Sequence, residues 1–437
     1  MKKARNVEVL IVGAGPVGLF AALILARRGV DVEIIDSQAH GSAHSYALTV
    51  HSQTLGMLEE YGLLEQVLQG ARKVSRIDYF QGRNRTGGID LRSTSLRIPY
   101  VAVVGQNHLE AVLEDALEQA GVRVQWKHRA AQVKQDADRV YVSVDELEES
   151  VIGYAVAHGE GIVRRRREYT ASLLLGADGY NSFVRRSLNI AFPEVGSPED
   201  YAVFQFDTLC GECDAVQIVE KEGLVNVRWP IGANGCRWTF ELAGEGTPPE
   251  YLRRKDPNLV QRIDHTATGP LDEARLQELL AERVPWCPAK VENEYWNLWA
   301  RFERRLAERF GEGRVWLAGD AGHLSAPVGV QSMNVGLTEV CDLAERLAEV
   351  VNTGASLETL EAYNEDRLSE WSFLQGLNGG LEPMPGAEPA LVDTRARLLS
   401  WLPASGPDLE VFAGALGFKL SGWSPRPRAE KAKSGAA

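Results

Sequence analysis

No stretch of this 437-residue chain reaches the roughly 18 uninterrupted apolar residues that a membrane-spanning helix requires. A partner in the membrane is therefore not expected. Cysteine is scarce: five residues, Cys210, Cys213, Cys236, Cys287 and Cys341. An odd number at irregular spacing offers no disulfide framework. Cys210-Gly-Glu-Cys213 stands without the second pair that a four-ligand zinc site needs, so no metal site is expected and the two read as free thiols near a turn. A reducing cytoplasm is the simplest setting for such usage. Basic charge is also in short supply. With 47 Lys and Arg against 60 Asp and Glu, the net charge is −13. Phosphate backbones are bound by a basic footprint, which excludes a nucleic-acid partner. The one basic run in the interior, Arg164 to Arg167, reads as a solvated strand or turn. No internal repeat is visible. The opening MKKAR and its apolar run imitate a signal peptide, but Gly13, Gly15, Pro16 and Gly18 interrupt that run and no small-x-small cleavage site follows. A soluble, unprocessed chain is expected, too long for one small core.

What is present begins at the N-terminus. Residues 7–12 form a short β-branched run bounded by glycine, which predicts a buried parallel strand. A helix apolar on most faces is predicted over 16–28, stopped by Gly29, and a second strand over 30–35. Between strand and helix lies Gly13-x-Gly15-x-x-Gly18. The first glycine permits the tight turn, the second lets the backbone approach a pyrophosphate, and the third allows close helix–strand packing. The helix N-terminus then presents N–H groups and a positive dipole end to phosphates. Asp36, at the end of the second strand, can accept hydrogen bonds from a ribose diol. The unit reads as dinucleotide-binding, without distinguishing NAD from FAD.

Further along, a helical pattern covers 52–69, strands are expected over 74–80 and 88–91, and an amphipathic helix over 106–120 repeats Leu109, Val112, Leu113, Ala116 and Leu117 at helical spacing. A hairpin over 132–145 precedes an irregular polar extension, 146–168, and a buried strand over 171–175. Residues 200–245 are strand-rich, with GECD and GANG as turns; a strand is expected over 314–318, a long helix over 335–351, and mostly helix on to 418. The tail SPRPRAEKAKSGAA has no core-forming residues and is expected to be disordered.

Two later segments narrow the reading. LLLGADGYNSFVRRSL carries Gly176, Asp178, Gly179, Ser182 and Arg185; RVWLAGDAGHLSAPVGVQSMNVGL carries Gly319, Asp320, His323, Pro327, Gly329, Gln331, Asn334 and Gly336. With the glycine turn, in this order and at these separations, they resemble the FAD-dependent aromatic hydroxylases, single-component flavoprotein monooxygenases of the para-hydroxybenzoate hydroxylase type. The resemblance covers about residues 5–350. It implies an α/β fold: a Rossmann-like FAD-binding domain interrupted by a sheet-rich substrate domain, with a helical C-terminal region. The implied division gives 1–72, 99–190 and 281–350 to the FAD-binding domain and 73–98 and 191–280 to the substrate domain. Residues 351–420 form the C-terminal helices and 421–437 the tail.

The resemblance also implies roles. Gly13, Gly15, Pro16, Val17 and Gly18 would hold the pyrophosphate, and Asp36 the ribose. Gln106 would touch FAD, and Asp178 would anchor a loop serving both FAD and the reduced nicotinamide. Asp320, after Gly319, would hydrogen-bond the ribityl chain, and Pro327 would lie near the reactive edge of the flavin. Gly329, Val330, Gln331, Ser332, Met333 and Asn334 would start a helix whose N–H groups face the pyrimidine ring. A helix N-terminus there stabilises the anionic reduced flavin. Asp178 and Asp320 can also be read as helix caps or strand-end turns, and His323 as a satisfied structural histidine.

The departures are specific. The family usually carries GGQG where this chain has Gly329-Val330-Gln331-Ser332, so backbone freedom beside the ring is reduced. Tyr46 stands where an arginine is frequent, and Glu339 replaces an aspartate. The implied chemistry is hydroxylation of an aromatic or polycyclic small molecule. NADPH or NADH reduces FAD, O2 adds at flavin C4a, and the distal oxygen of the hydroperoxide is transferred. A phenolic substrate calls for a base. His44, Tyr46 and His51 lie in the segment expected beside the flavin, with Pro327 as a further candidate at the reactive edge. The substrate wall is expected from the strand-rich block, including Phe204, Phe206, Val227, Trp229, Trp238 and Phe240. Two alternatives stay open. One is a non-oxygenating flavin oxidoreductase (dehydrogenase, reductase or halogenase, WPIGANGCRW being only an echo of a halogenase segment). The other is a redox-inactive FAD-binding assembly protein. A monomer or homodimer is expected.

Overall fold

The strand Arg5–Val12 is apolar because it is buried on both faces: Val9, Leu10 and Ile11 are fully inaccessible. In the structure, a computed structural model that describes residues 4–41, 48–148, 162–208, 214–242, 271–286 and 291–425 (side chains of 292–296 excepted), this strand is an interior strand of a seven-stranded sheet. It pairs in parallel with Ile162–Gly176 on one side and Val32–Ile35 on the other. Val315–Leu317 continues the parallel array beyond Ile162–Gly176. The helix Pro16–Arg27 packs against the helices Gln331–Thr353 and Gln106–Gln119, which explains its apolar surface on nearly every side. Pro16 begins it where the missing N–H has no helical partner to lose, and Gly29, at φ 75°, ends it.

A second sheet has eight strands in the order His323–Leu324, Val291–Leu306, Glu194–Thr208, Gly235–Leu242, Leu224–Ile231, Ala215–Lys221, Arg76–Gln81 and Asn84–Asp90. Chain segments far apart in sequence therefore share one sheet, and the nucleotide-type sheet is interrupted by it. Period-two alternation sends Phe204, Phe206, Cys236, Trp238 and Phe240 to one face, where they pack with Leu276, Leu279 and Leu280 of the helix Glu273–Arg283. The residues between them point to the other face, toward the first sheet.

Several expectations change. The helix over 52–69 is two helices, Ser52–Glu60 and Leu64–Leu68, separated at Gly62 in the left-handed region (φ 69°). The extension 146–168 is not irregular where it is described: Val140–Glu148 and Ile162–Gly176 form an antiparallel ribbon. Its arginines face acids across the ladder, Arg166 on Asp145 at 2.7 Å and Arg167 on Glu146 at 2.7 Å. Residues 291–306, expected with the nucleotide-binding part, belong to the second sheet. The long helix starts at Gln331 rather than 335. The C-terminal region is helical but also contains an antiparallel strand pair, Gly380–Pro383 with Phe418–Ser421, so Ser421 is strand rather than tail. The GECD turn with Cys210 and Cys213, Cys287, and residues 426–437 lie outside the described residues. Among the described residues, no helix is long and apolar enough to cross a membrane.

Candidate active site

The three glycine-bearing motifs converge. Gly13 can only be glycine: it sits at φ 108°, and a Cβ there would fall 2.1 Å from the Ala177 carbonyl oxygen. A Cβ on Gly18 would lie 1.9 Å from the Gly13 carbonyl oxygen, so the helix packs directly on its own entry turn. Gly15 is different, since nothing lies within 4 Å of a Cβ built there. It opens onto a cavity of about 320 Å³ between the two sheets. Asp36 braces this turn from the second strand: one carboxylate oxygen accepts from the Ala14 N–H at 2.7 Å and the other from the Gln38 N–H at 2.7 Å.

The first wall of the cavity comes from Gly15, Pro16 and Val17, from Gln106, from Ala177, Gly179 and Tyr180, and from Gly319, Asp320, Pro327, Val330, Ser332 and Met333. Asp178 stands behind this wall. Its carboxylate accepts from the Ser182 hydroxyl at 2.5 Å and the Val184 N–H at 3.0 Å, while Ser182 caps the short helix Phe183–Ser187. Burial pushes the Asp178 carboxyl up, opposed by those same bonds. Arg185 ties the second motif to the third by donating to the carbonyls of Tyr180 and Ala321 at 2.9 and 2.7 Å.

Asp320 lies on the cavity wall and accepts from the Ser332 hydroxyl at 2.6 Å; burial raises its carboxyl. Behind it, fully buried Glu339 accepts from the Gly319 N–H, from Nε2 of His323 at 3.0 Å and from the Trp371 indole at 3.3 Å. His323 stacks on Trp371 with centroids 3.7 Å apart, and its place is structural.

The turn into the helix Gln331–Thr353 departs from ordinary backbone. Val330 adopts φ 52°, ψ 37°, a left-handed conformation that a β-branched residue rarely takes. The surroundings over-determine it, as such strain requires. Asn334 Nδ2 donates to the carbonyls of Val330 and Thr49, the His51 N–H donates to Asn334 Oδ1, and the Gly329 N–H donates to the Ser400 carbonyl. A Cβ on Gly329 would sit 2.6 Å from that Ser400 oxygen. The Gln331 side chain is turned away from the cavity, donating to the carbonyls of Leu399 and Leu402 at 2.9 and 3.3 Å. Gln331 and Asn334 therefore have only backbone groups to offer a cofactor.

His51 is not a base facing the cavity. It is fully buried, its Nε2 meets the Gly329 carbonyl at 2.8 Å, and burial lowers its imidazole to about 3. A neutral ring that pins the turn has no route to a substrate proton. His44 and Tyr46 lie outside the described residues, and Pro327 is on the wall.

The second wall belongs to the eight-stranded sheet: Val203, Trp229, Arg237, Thr239, Leu298, Ala300, Phe302 and Glu303. Of the aromatic residues expected there, only Trp229 takes part. Phe204, Phe206, Trp238 and Phe240 face the helix Glu273–Arg283, because the register places them on the opposite side of the sheet. Arg237 was missed. Only 3% of it is exposed, and its Nε and one Nη donate to the Gln205 amide oxygen at 3.3 and 2.7 Å. A single arginine within GCRWTFEL, otherwise the pattern of a buried strand, was the available signal.

The residues fit FAD. Open space in front of Gly15, a helix N-terminus behind it, and a carboxylate at Asp320 facing the same cavity suit pyrophosphate and polyol. A dinucleotide-type sheet whose motifs line one cavity, closed by a second sheet with an apolar wall, defines a two-domain flavin-binding oxidoreductase. The chain belongs to the FAD binding domain family, whose model matches residues 6–372. It is 28% identical over 369 residues to para-nitrophenol 4-monooxygenase of Pseudomonas sp. (strain WBC-3), covering 82% of each chain. It is 27% identical over 362 residues to rifampicin monooxygenase of Rhodococcus hoagii, covering 82% of this chain and 67% of that one. The crystal structure of p-nitrophenol 4-monooxygenase PnpA from Pseudomonas putida DLL-E4 superposes with a TM-score of 0.70 at 22% identity, covering 94% of both chains, which shows the shared fold.

Proposed function

We propose that the protein is an FAD-dependent monooxygenase that hydroxylates an aromatic or polycyclic small molecule, with NADPH or NADH as reductant and O2 as co-substrate. The observation that carries this reading is the single cavity: cofactor-binding motifs form one wall and an apolar sheet face the other. The names of the two relatives favour oxygenation over the non-oxygenating alternatives. When bound and reduced, FAD supplies the electrons and the activated oxygen. The chain supplies the rest. The turn from Gly13 to Gly18 and the N-terminus of Pro16–Arg27 would hold the pyrophosphate, and Asp36, whose carboxylate braces that turn at the Ala14 N–H, would meet the ribose. Gln106 and Asp320 offer polar contacts from the cavity wall. Backbone N–H groups at the start of Gln331–Thr353 favour negative charge on the ring. Val203, Leu298, Ala300 and Phe302 exclude water and give the substrate an apolar surface to pack against.

The experiment is anaerobic reduction of the FAD-loaded protein by NADPH and by NADH, then oxygen uptake against a panel of phenols and polycyclic aromatics. Uptake that depends on the aromatic compound, with a product one oxygen heavier, supports the reading. Flavin that neither nicotinamide reduces under any ligand overturns it.

A further inference from the structure

Gln331 opens the helix that should face the flavin, yet its side chain is buried and points the other way. Its amide donates to the carbonyls of Leu399 and Leu402 at 2.9 and 3.3 Å. Two residues earlier, the Gly329 N–H donates to the Ser400 carbonyl at 3.1 Å. These acceptors close the helix Arg395–Trp401, whose last carbonyls find no N–H within it. Pro403, four residues beyond Leu399, has no N–H to give that carbonyl. The approach is close: a Cβ on Gly329 would also fall 2.7 Å from the Leu402 oxygen. His51 adds a link, its Nδ1 standing 3.4 Å from the Ser405 hydroxyl while Nε2 meets the Gly329 carbonyl. Leu399, Leu402, Ala404 and Ser405 are buried, and none of them lines the cavity. On the opposite side of the same turn, Val330, Ser332 and Met333 do line it. The N–H groups of Gln331, Ser332 and Met333 open the helix and have no acceptor within it. A left-handed valine persists only where its surroundings over-determine it, and much of that constraint comes from the C-terminal segment.

Resting on the reading that places the flavin ring of FAD against this turn, we propose that Gln331 is a positioning residue through which the buried segment 399–405 sets the reduction potential of the bound flavin. Neither Gln331's side chain nor the segment touches the cofactor. They fix the direction of the N–H groups at Gln331, Ser332 and Met333. Direction decides how well a helix N-terminus stabilises negative charge. Reduction adds negative charge to the ring, so a turn released from the segment favours reduced over oxidised flavin less strongly.

The test compares FAD-loaded wild type with Gln331→Met, which keeps the length of the side chain and loses its donor. The measured quantity is the midpoint potential of the bound flavin, from anaerobic titration against a dye of known potential. Gln331→Met is expected to lose about 10-fold in preference for reduced over oxidised flavin, the scale of one hydrogen bond. That lowers the midpoint by about 30 mV for a two-electron couple. Val67→Ala leaves a void in the buried face of the helix Leu64–Leu68, away from the cavity wall, and controls for lost stability. Its midpoint is expected to match wild type. A Gln331→Met midpoint equal to wild type, or shifted no further than that of Val67→Ala, overturns the proposal. If Gln331→Met does not fold or does not hold FAD, amide hydrogen exchange of the wild type decides. FAD is expected to slow exchange within 399–405 by about 10-fold or more, although those residues lie outside the cavity; exchange there that FAD leaves unchanged overturns the proposal. Neither measurement depends on turnover. A midpoint that depends on Gln331 in a protein without aromatic-dependent oxygen uptake would sink the monooxygenase reading alone, and hydroxylation with an unaltered midpoint in Gln331→Met would sink this inference alone.

Discussion

Ser332 donates a 2.6 Å hydrogen bond to the carboxylate of Asp320, joining the first turn of the helix Gln331–Thr353 to the wall of the cofactor cavity. The family pattern usually has glycine where this serine stands, so the bond belongs to this chain. Ser332→Ala leaves the carboxylate short of a donor, which costs about 1–3 kcal/mol. If Asp320 also serves the ribityl chain, saturating FAD replaces part of what is lost. Thermal melts of wild type and Ser332→Ala, each with and without FAD, should show a gap that narrows when FAD is added. An identical gap in both conditions would count against the ribityl role of Asp320.

Val330 supplies a prediction of sign. At an ordinary backbone position, alanine is more stable than glycine by about 0.5–1 kcal/mol. At φ 52° the order should reverse, because the left-handed conformation costs a residue with a Cβ about 1–2 kcal/mol. Urea unfolding of Val330→Ala and Val330→Gly should therefore find the glycine variant the more stable. A more stable alanine variant would mean the turn is not left-handed in solution.

His51 predicts an acid-labile fold. Its folded-state imidazole titrates near 3, below the usual 6.5. A depressed value means stability fully present above 6.5 and lost as pH falls from there toward 3. The upper bound is about 5 kcal/mol, at 1.36 kcal/mol per unit. His51→Gln keeps an amide within reach of the Gly329 carbonyl but cannot titrate. Its unfolding free energy should vary less with pH over this window than that of the wild type. Parallel curves would refute the assignment.

Asp408 acts in the opposite direction. It sits at the start of the helix Asp408–Ala415, bonded to Ser52 and the Gln53 backbone, and burial raises its carboxyl to about 6. A raised folded-state value means stability present below about 4 and lost as pH rises through 6. The full effect is at most about 3 kcal/mol at neutral pH. Asp408→Asn should be more stable than wild type at pH 7, with the advantage shrinking toward pH 4. An advantage independent of pH would show that the charge is not its cause.

The dinucleotide unit was legible because its signals are local. A buried strand, a glycine turn, a helix and an acidic strand end follow one another within the first 36 residues, and Gly13 and Gly18 are glycines for reasons of immediate packing. The inner parts of the ribbon, 140–145 and 171–175, were legible as strand, but its outer part, 146–148 and 162–168, was not. Its arginines look like a solvated run until the facing acids of the partner strand are known. Residues 291–306 were placed with the wrong sheet for a related reason, since a strand's partners are chosen by register across hundreds of residues.

By itself the sequence determined a dinucleotide-type βαβ unit, since glycine spacing and strand–helix periodicity are properties of neighbouring residues, and the resemblance of its three motifs to a family narrowed the dinucleotide to FAD and implied the interrupted α/β architecture. Only the tertiary structure decided which side chains meet in the cavity. On the strand Gly235–Leu242, whether Arg237 or Trp238 faces the cavity depends on a one-residue choice of register, which sends alternate side chains to opposite faces. The burial of His51 against Gly329, 278 residues away, is likewise a product of packing, and it turns a candidate base into a structural pin.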